Sequence, residues 1–136
     1  MNYKLFLLAP AILLLTNCKT KAQNETQNSD GMVSIGLNKR LTIPGSKITL
    51  ELKQVSEDSR CPVDVTCVWE GIAVVDLTAT NGSETRNIQL ATKDFEPKNT
   101  KKSINYAGYK ISLQDVRPYP GGKQEAQSIT LKYEKE

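Results

Sequence analysis

The sequence predicts an all-β domain, a small antiparallel β-sandwich or barrel of about six to eight short strands. Three observations predict it. From Met32 onward apolar residues recur at every second position, and no stretch repeats them at helical spacing. Turn-forming residues punctuate these runs at Pro44-Gly45, Asn81-Gly82 and Pro118-Tyr119-Pro120-Gly121-Gly122. Finally, one strand-like segment occurs twice, as expected of a chain that lays similar strands side by side.

Two short strand candidates open the domain, near Val33–Leu37 and Leu41–Ile43, the second stopped by Pro44-Gly45. Ile48, Leu50 and Leu52 then alternate with Lys47, Thr49, Glu51 and Lys53, giving one dry and one wet face. In the next run Trp69, Gly71, Ala73, Val75, Leu77 and Ala79 are apolar or small, with Glu70, Asp76, Thr78 and Thr80 opposite. Asn81-Gly82 follows directly. Both residues tolerate positive φ, so they predict a hairpin whose return strand points Ile88 and Leu90 inward. Tyr109, Ile111 and Leu113 form a further strand, and Ile129, Leu131 and Tyr133 the last. The architecture expected from these pieces is of immunoglobulin-like or Greek-key type.

The repeated segment sharpens the topology. Gly45-Ser46-Lys47-Ile48-Thr49-Leu50 reappears as Gly108-Tyr109-Lys110-Ile111-Ser112-Leu113. Each copy then shifts its apolar phase by three residues, Leu52 to Val55 and Leu113 to Val116, as at a bulge or a strand end. One copy enters a loop with two cysteines and the other the Pro118–Gly122 loop. Strands in pseudo-equivalent places would bring those loops to the same end of the domain. The alternative is that Gly-x-Lys-Ile-Ser/Thr-Leu is simply a good way to start a strand.

Composition excludes several chemistries. The 136 residues contain no histidine, which removes the commonest metal ligand and the usual general base at neutral pH. Zinc hydrolases and Ser-His or Cys-His nucleophile pairs are thereby excluded, and the expectation is a non-enzyme without cofactor or metal. The formal net charge of +3 is close to balance and gives no concentrated basic face, so nucleic acid is not an expected partner.

The first residues carry an address. Lys4 precedes an apolar run from Leu5 to Leu15, followed by Thr16, Asn17 and Cys18. That order is a secretory signal, too short to span a bilayer, which needs about 20 apolar residues. Leu15-Thr16-Asn17-Cys18 resembles the lipobox of bacterial lipoproteins. The resemblance implies cleavage after residue 17 and a lipidated Cys18 held firmly in a membrane. Lys19, in place of the aspartate that resembles an inner-membrane retention signal, favours the outer membrane with the domain facing the periplasm. Residues 18–31 then form a flexible polar tether and residues 32–136 a single domain. With Cys18 assigned to lipid, Cys61 and Cys67 remain as an even pair in an oxidising compartment and are expected to form a disulfide.

The densest unusual stretch is Glu57-Asp58-Ser59-Arg60-Cys61-Pro62-Val63-Asp64-Val65-Thr66-Cys67-Val68-Trp69-Glu70-Gly71. It resembles a segment of uncharacterised bacterial lipoproteins and secreted β-domains that pairs Asp-Ser-Arg-Cys-Pro with Cys-x-Trp-x-Gly. The resemblance implies a shared small β-fold and no known activity. Pro62 stiffens this loop, Trp69 is expected to pack beneath it, and Arg60 has Asp58, Asp64 and Glu70 as candidate ion-pair partners. One reading makes the unit a folding clip. The other makes it a recognition loop on a rigid scaffold, with Asp58, Arg60, Asp64 and Glu70 as candidate binding residues and Tyr119 joining from the second loop.

The second reading has two variants. Arg60 could enter the specificity pocket of a serine protease, making the chain a protease or wall-enzyme inhibitor or an immunity-type lipoprotein acting through residues 58–70. Asp58, Asp64 and Glu70 could instead meet at a calcium ion, although no Asp-x-Asp-x-Asp-Gly loop is present. Lys98-Asn99-Thr100-Lys101-Lys102 is a basic loop suited to anionic head groups or glycans, or simply a solvated turn. The expectation that emerges is a lipid-anchored, non-enzymatic envelope protein that binds an envelope protein or glycan, or supports envelope structure.

Overall fold

Two antiparallel sheets pack face to face in the computed structural model, which describes residues 31–136 and the backbone of Gln27–Asn28. In chain order the strands are β1 (Gln27–Asn28), β2 (Met32–Gly36), β3 (Arg40–Thr42), β4 (Ile48–Asp58), β5 (Ala73–Asn81), β6 (Glu84–Ala91), β7 (Ser103–Tyr106), β8 (Tyr109–Arg117) and β9 (Ser128–Lys135). One sheet runs β1-β2-β9-β8-β7 and the other β3-β4-β5-β6. Their edges do not join into one closed ladder, so the fold is a β-sandwich and not a barrel. Successive strands follow one another around the two layers, β2 lying beside β3 and β6 beside β7. That route is up-and-down, without the Greek-key return the sequence allowed among the described strands. The leader, Cys18 and most of the tether expected over 18–31 lie outside the described residues. At the end of that stretch Asn28 and Gln27 pair with Met32 and Val33 of β2.

The alternations read from the sequence meet between the sheets. Ile48, Leu50 and Leu52 of β4, Ala73, Val75, Leu77 and Ala79 of β5, and Ile88 and Leu90 of β6 face Ile111, Leu113, Val116, Ile129 and Leu131 of the opposite sheet. All are buried. Burying a side chain of this size stabilises the fold by about 1.5–3 kcal/mol, and this common interior is the main cohesive force. Val33, Ile35, Leu41 and Ile43 close the β2–β3 side.

The turns are set by residue chemistry. Pro44 and Gly45 (φ +75°) make the β3–β4 turn, closed by the Ser46 amide donating to the Ile43 carbonyl at 3.1 Å. In the β5–β6 hairpin, Asn81 pairs with Glu84, so the two-residue loop is Gly82-Ser83 and only Gly82 (φ +63°) takes positive φ. The hairpin is where the sequence put it, but the turn is displaced by one residue. The β7–β8 turn uses Ala107 (φ +47°) and Gly108 (φ +80°), a pair that signals a hairpin far less clearly than Asn-Gly.

Two expectations are corrected. The long central strand starts at Ala73 and not at Trp69, because Gly71 turns the chain at φ +68° and breaks the alternation. Ile72 and Val74, on the outward side of the run, are buried with Ala91 beneath Phe95 in a small second core. The segment 92–102 folds over that outer face and carries a short 3-10 turn, Glu96–Lys98.

The repeated segments do occupy matching places. β4 and β8 each follow a short edge strand, β3 and β7, through a tight turn. Both bulge after the repeat, at Leu52/Gln54 and Leu113/Asp115, and β4 bulges again at Val55/Glu57. Their exits therefore reach the same end of the sandwich, where the cysteine and proline loops meet.

Candidate functional site

The cysteine loop is clamped at its base before any side chain acts at its tip. The Ser59 amide donates to the Ile72 carbonyl at 2.8 Å, the Ser59 hydroxyl accepts from the Ile72 amide at 3.1 Å, and the Cys61 amide donates to the Glu70 carbonyl at 3.1 Å. Gly71 lies directly on Ser59, and a Cβ at that position would run into the Ser59 carbonyl. The Cys61–Cys67 disulfide closes the tip, with Cα atoms 5.9 Å apart.

Arg60 joins the two loops. Only 6 % exposed, it turns inward and reaches from the β4 exit to the β8 exit. Its Nε and Nη2 donate to the two carboxylate oxygens of Asp58 at 2.8 and 2.7 Å, a bidentate pair. Nη1 donates to the Val116 carbonyl at 2.7 Å and Nη2 to the Pro118 carbonyl at 3.0 Å. The Tyr119 ring covers the guanidinium, 4.2 Å from centroid to Cζ. Burial by itself would lower the Arg60 pKa; the hydrogen bonds and charge of Asp58, with Tyr119 and Asp115 adding to them, outweigh it and raise it above the ordinary value. The charge is thus held, with four guanidinium hydrogen bonds donated. A backbone bond from the Val63 amide to the Pro120 carbonyl, 3.1 Å, ties the loops a second time.

Of the candidate binding residues, the structure brings Asp58, Arg60 and Tyr119 together and separates the others. Glu70 pairs with Lys93. Asp64 is exposed beside Gly121 and forms no ion pair among the described residues. Asp58, Asp64 and Glu70 therefore do not converge on a calcium position. The Arg60 guanidinium is also buried and held by four hydrogen bonds, so it is not presented to a protease pocket, which corrects that use of the loop. Trp69 does not pack beneath the loop: it is 46 % exposed, tilted against Phe95 at 5.2 Å with the Lys93 ammonium 4.2 Å from its ring centroid. In the basic segment Lys98 is paired with Glu57 and Lys101 with Glu96, so much of its charge is answered internally.

A cleft of 380 Å³ lies between the loops, lined by Arg60, Glu70, Thr92, Lys93, Asp115 and Tyr119 among others. Its charged groups are paired with one another or with neighbours: Arg60 with Asp58, Lys93 with Glu70 and Asp115 with Arg117. The surface around it is different. The exposed large hydrophobics of the described chain are Val63 (61 %), Val65, Val68, Trp69 and Tyr119, all at this end of the sandwich. Sequence reasoning singled out the charged residues of the loop and passed over its valines. Their signal was present, because a C-x5-C ring is too small to have an interior in which Val63 and Val65 could be buried.

Compared with known protein families, curated proteins and solved structures, the chain matches none.

Proposed function

We propose that this chain is a non-enzymatic binding module of the bacterial cell envelope, lipidated at Cys18, anchored in the outer membrane and facing the periplasm. Its contact surface is the loop end of the sandwich. The observation that carries this reading is a division of labour within one loop. Arg60 and the base of the loop are turned inward and satisfied, while Val63 and Val65 on the closed disulfide ring, and Val68 just past it, stand in solvent. Exposed apolar groups that contribute nothing to the core mark interaction surfaces, and a loop already held in shape loses little entropy on binding. The anchor rests on the order Lys4, Leu5–Leu15, Cys18 in the leader.

Two measurements in cells test the proposal. A photoreactive residue at position 65 is expected to give protein adducts, while the same residue at Thr78, on the outer face of β5, gives none. Cys18→Ala is expected to shift the protein from the membrane to the soluble fraction. Equal labelling from both positions, or none from position 65, rejects the contact surface, and unchanged fractionation rejects the anchor.

A further inference from the structure

We infer that the partner is a protein whose surface carries an apolar recess edged by a lysine or arginine, entered by the valine tip of the Cys61–Cys67 ring with Asp64 against that cation. The inference rests on the binding-module reading above and adds the chemistry of the partner. Shape comes first: the tip is convex, stiffened by Pro62, closed by the disulfide and tied to the proline loop through Val63 and Pro120. A rigid convex knob is matched by a preformed recess. Its side chains are aliphatic and project outward, with Val68 fully in solvent.

Charge decides between kinds of partner. Residues 61–70 contain Asp64 and Glu70 and no lysine or arginine. Glu70 is answered by Lys93, which leaves Asp64 as the free charge of the tip among the described residues. An anionic bilayer surface would repel it. A glycan would need aromatic faces or a set of donors, but Lys93 already sits over Trp69 and Arg60 over Tyr119. A symmetric contact between two copies would bring two Asp64 carboxylates to one interface, like charges without a counter-ion. A basic rim around an apolar recess satisfies both the valines and Asp64.

The test places a photoreactive residue at Thr66, which is exposed between the valines, in the otherwise unchanged full-length protein in its own cells. Adducts are mapped on the captured partner by mass spectrometry. The expected result is a protein adduct on an apolar stretch next to lysine or arginine. Asp64→Asn should reduce its yield severalfold and Asp64→Lys by at least about tenfold. The melting temperature of both variants should be nearly unchanged, because Asp64 is exposed and its side chain makes no hydrogen bond or ion pair among the described residues. An adduct that survives Asp64→Lys overturns the inference and leaves the binding-module reading standing. Adducts to lipid, adducts between copies of this chain, or an acidic contact site on the partner overturn it as well. Binding of the purified Cys18→Ala protein, which has no acyl chains, to vesicles of phosphatidylethanolamine and phosphatidylglycerol, insensitive to Asp64→Lys, would do the same. No adduct from position 65 or 66 rejects both statements.

Discussion

The two strand-and-loop units of this sandwich start alike and end differently. β4 and β8 carry the same Gly-x-Lys-Ile-x-Leu opening, sit next to an edge strand in their respective sheets, and bulge beyond it, β8 directly after the repeat's leucine and β4 two residues later. Beyond the bulge their roles divide. The β4 exit supplies donors and a charge, through Arg60 and the Val63 amide; the β8 exit supplies the Val116, Pro118 and Pro120 carbonyls and the Tyr119 ring. A buried charge is tolerated when its hydrogen-bonding groups are met, and here the loop of one sheet meets those of the other. Neither loop is complete alone. The cysteine loop can therefore aim its apolar residues outward because Ser59 and Arg60 at its base are satisfied inward.

Substitutions can break that comparison or sharpen it. Gly71→Ala should have the largest effect, a loss of more than about 3 kcal/mol in urea unfolding, because its Cβ meets the Ser59 backbone at positive φ. Arg60→Leu should cost about 3 kcal/mol, leaving Asp58 and two carbonyls of the β8 exit without their donor. Backbone amide exchange should then accelerate in residues 116–122 as well as in the cysteine loop. If only the cysteine loop responds, the mutual dependence of the loops is wrong. Replacing Cys61 and Cys67 together by serine should cost about 2 kcal/mol, the chain-entropy value for so short a loop.

Gly121→Ala, in the partner loop, should cost only about 1 kcal/mol. It also has positive φ (+69°), but its Cβ would meet side-chain atoms of Pro62 and Asp64 at 3.1 and 3.2 Å. A larger loss there than at Gly71 would reverse the order of the two loops. The smallest effect belongs to the exposed sheet face. Lys53, and then Arg40, hydrogen-bond Glu51 and hold its pKa below the ordinary 4.5. The resulting stabilisation is present above that ordinary value and lost as pH falls through the lowered one. Glu51→Gln should remove this small acid-dependent part of the melting curve.

Much of the sandwich was legible because alternation is a direct consequence of strand geometry: Ile48, Leu50 and Leu52, like Ala73, Val75, Leu77 and Ala79, could face only one way. The bulges were legible as three-residue phase shifts, and the meeting of the loops as a repeated segment. β7 was not, because Ser103–Tyr106 is short and its turn uses Ala107 where Asn would have announced it. Trp69 was misplaced because extending the alternation backwards ignored Gly71, whose positive φ ends it. At the site, the sequence supplied the members and not the pairing. Three acids lie near Arg60 in the chain, and only the fold shows that Asp58 takes it while Lys93 takes Glu70. The outward valines were passed over because apolar residues in a loop carry no periodic signal.

The central claim is that Val63, Val65 and Val68 serve recognition and not the fold. Its most direct test is the melting temperature of the protein with all three changed to serine. The account predicts a shift no larger than about 6 °C, since each of three exposed positions away from packing contacts changes stability by about 0.5 kcal/mol or less. A fall of about 10 °C or more would mean that these side chains hold the loop together, and would contradict it.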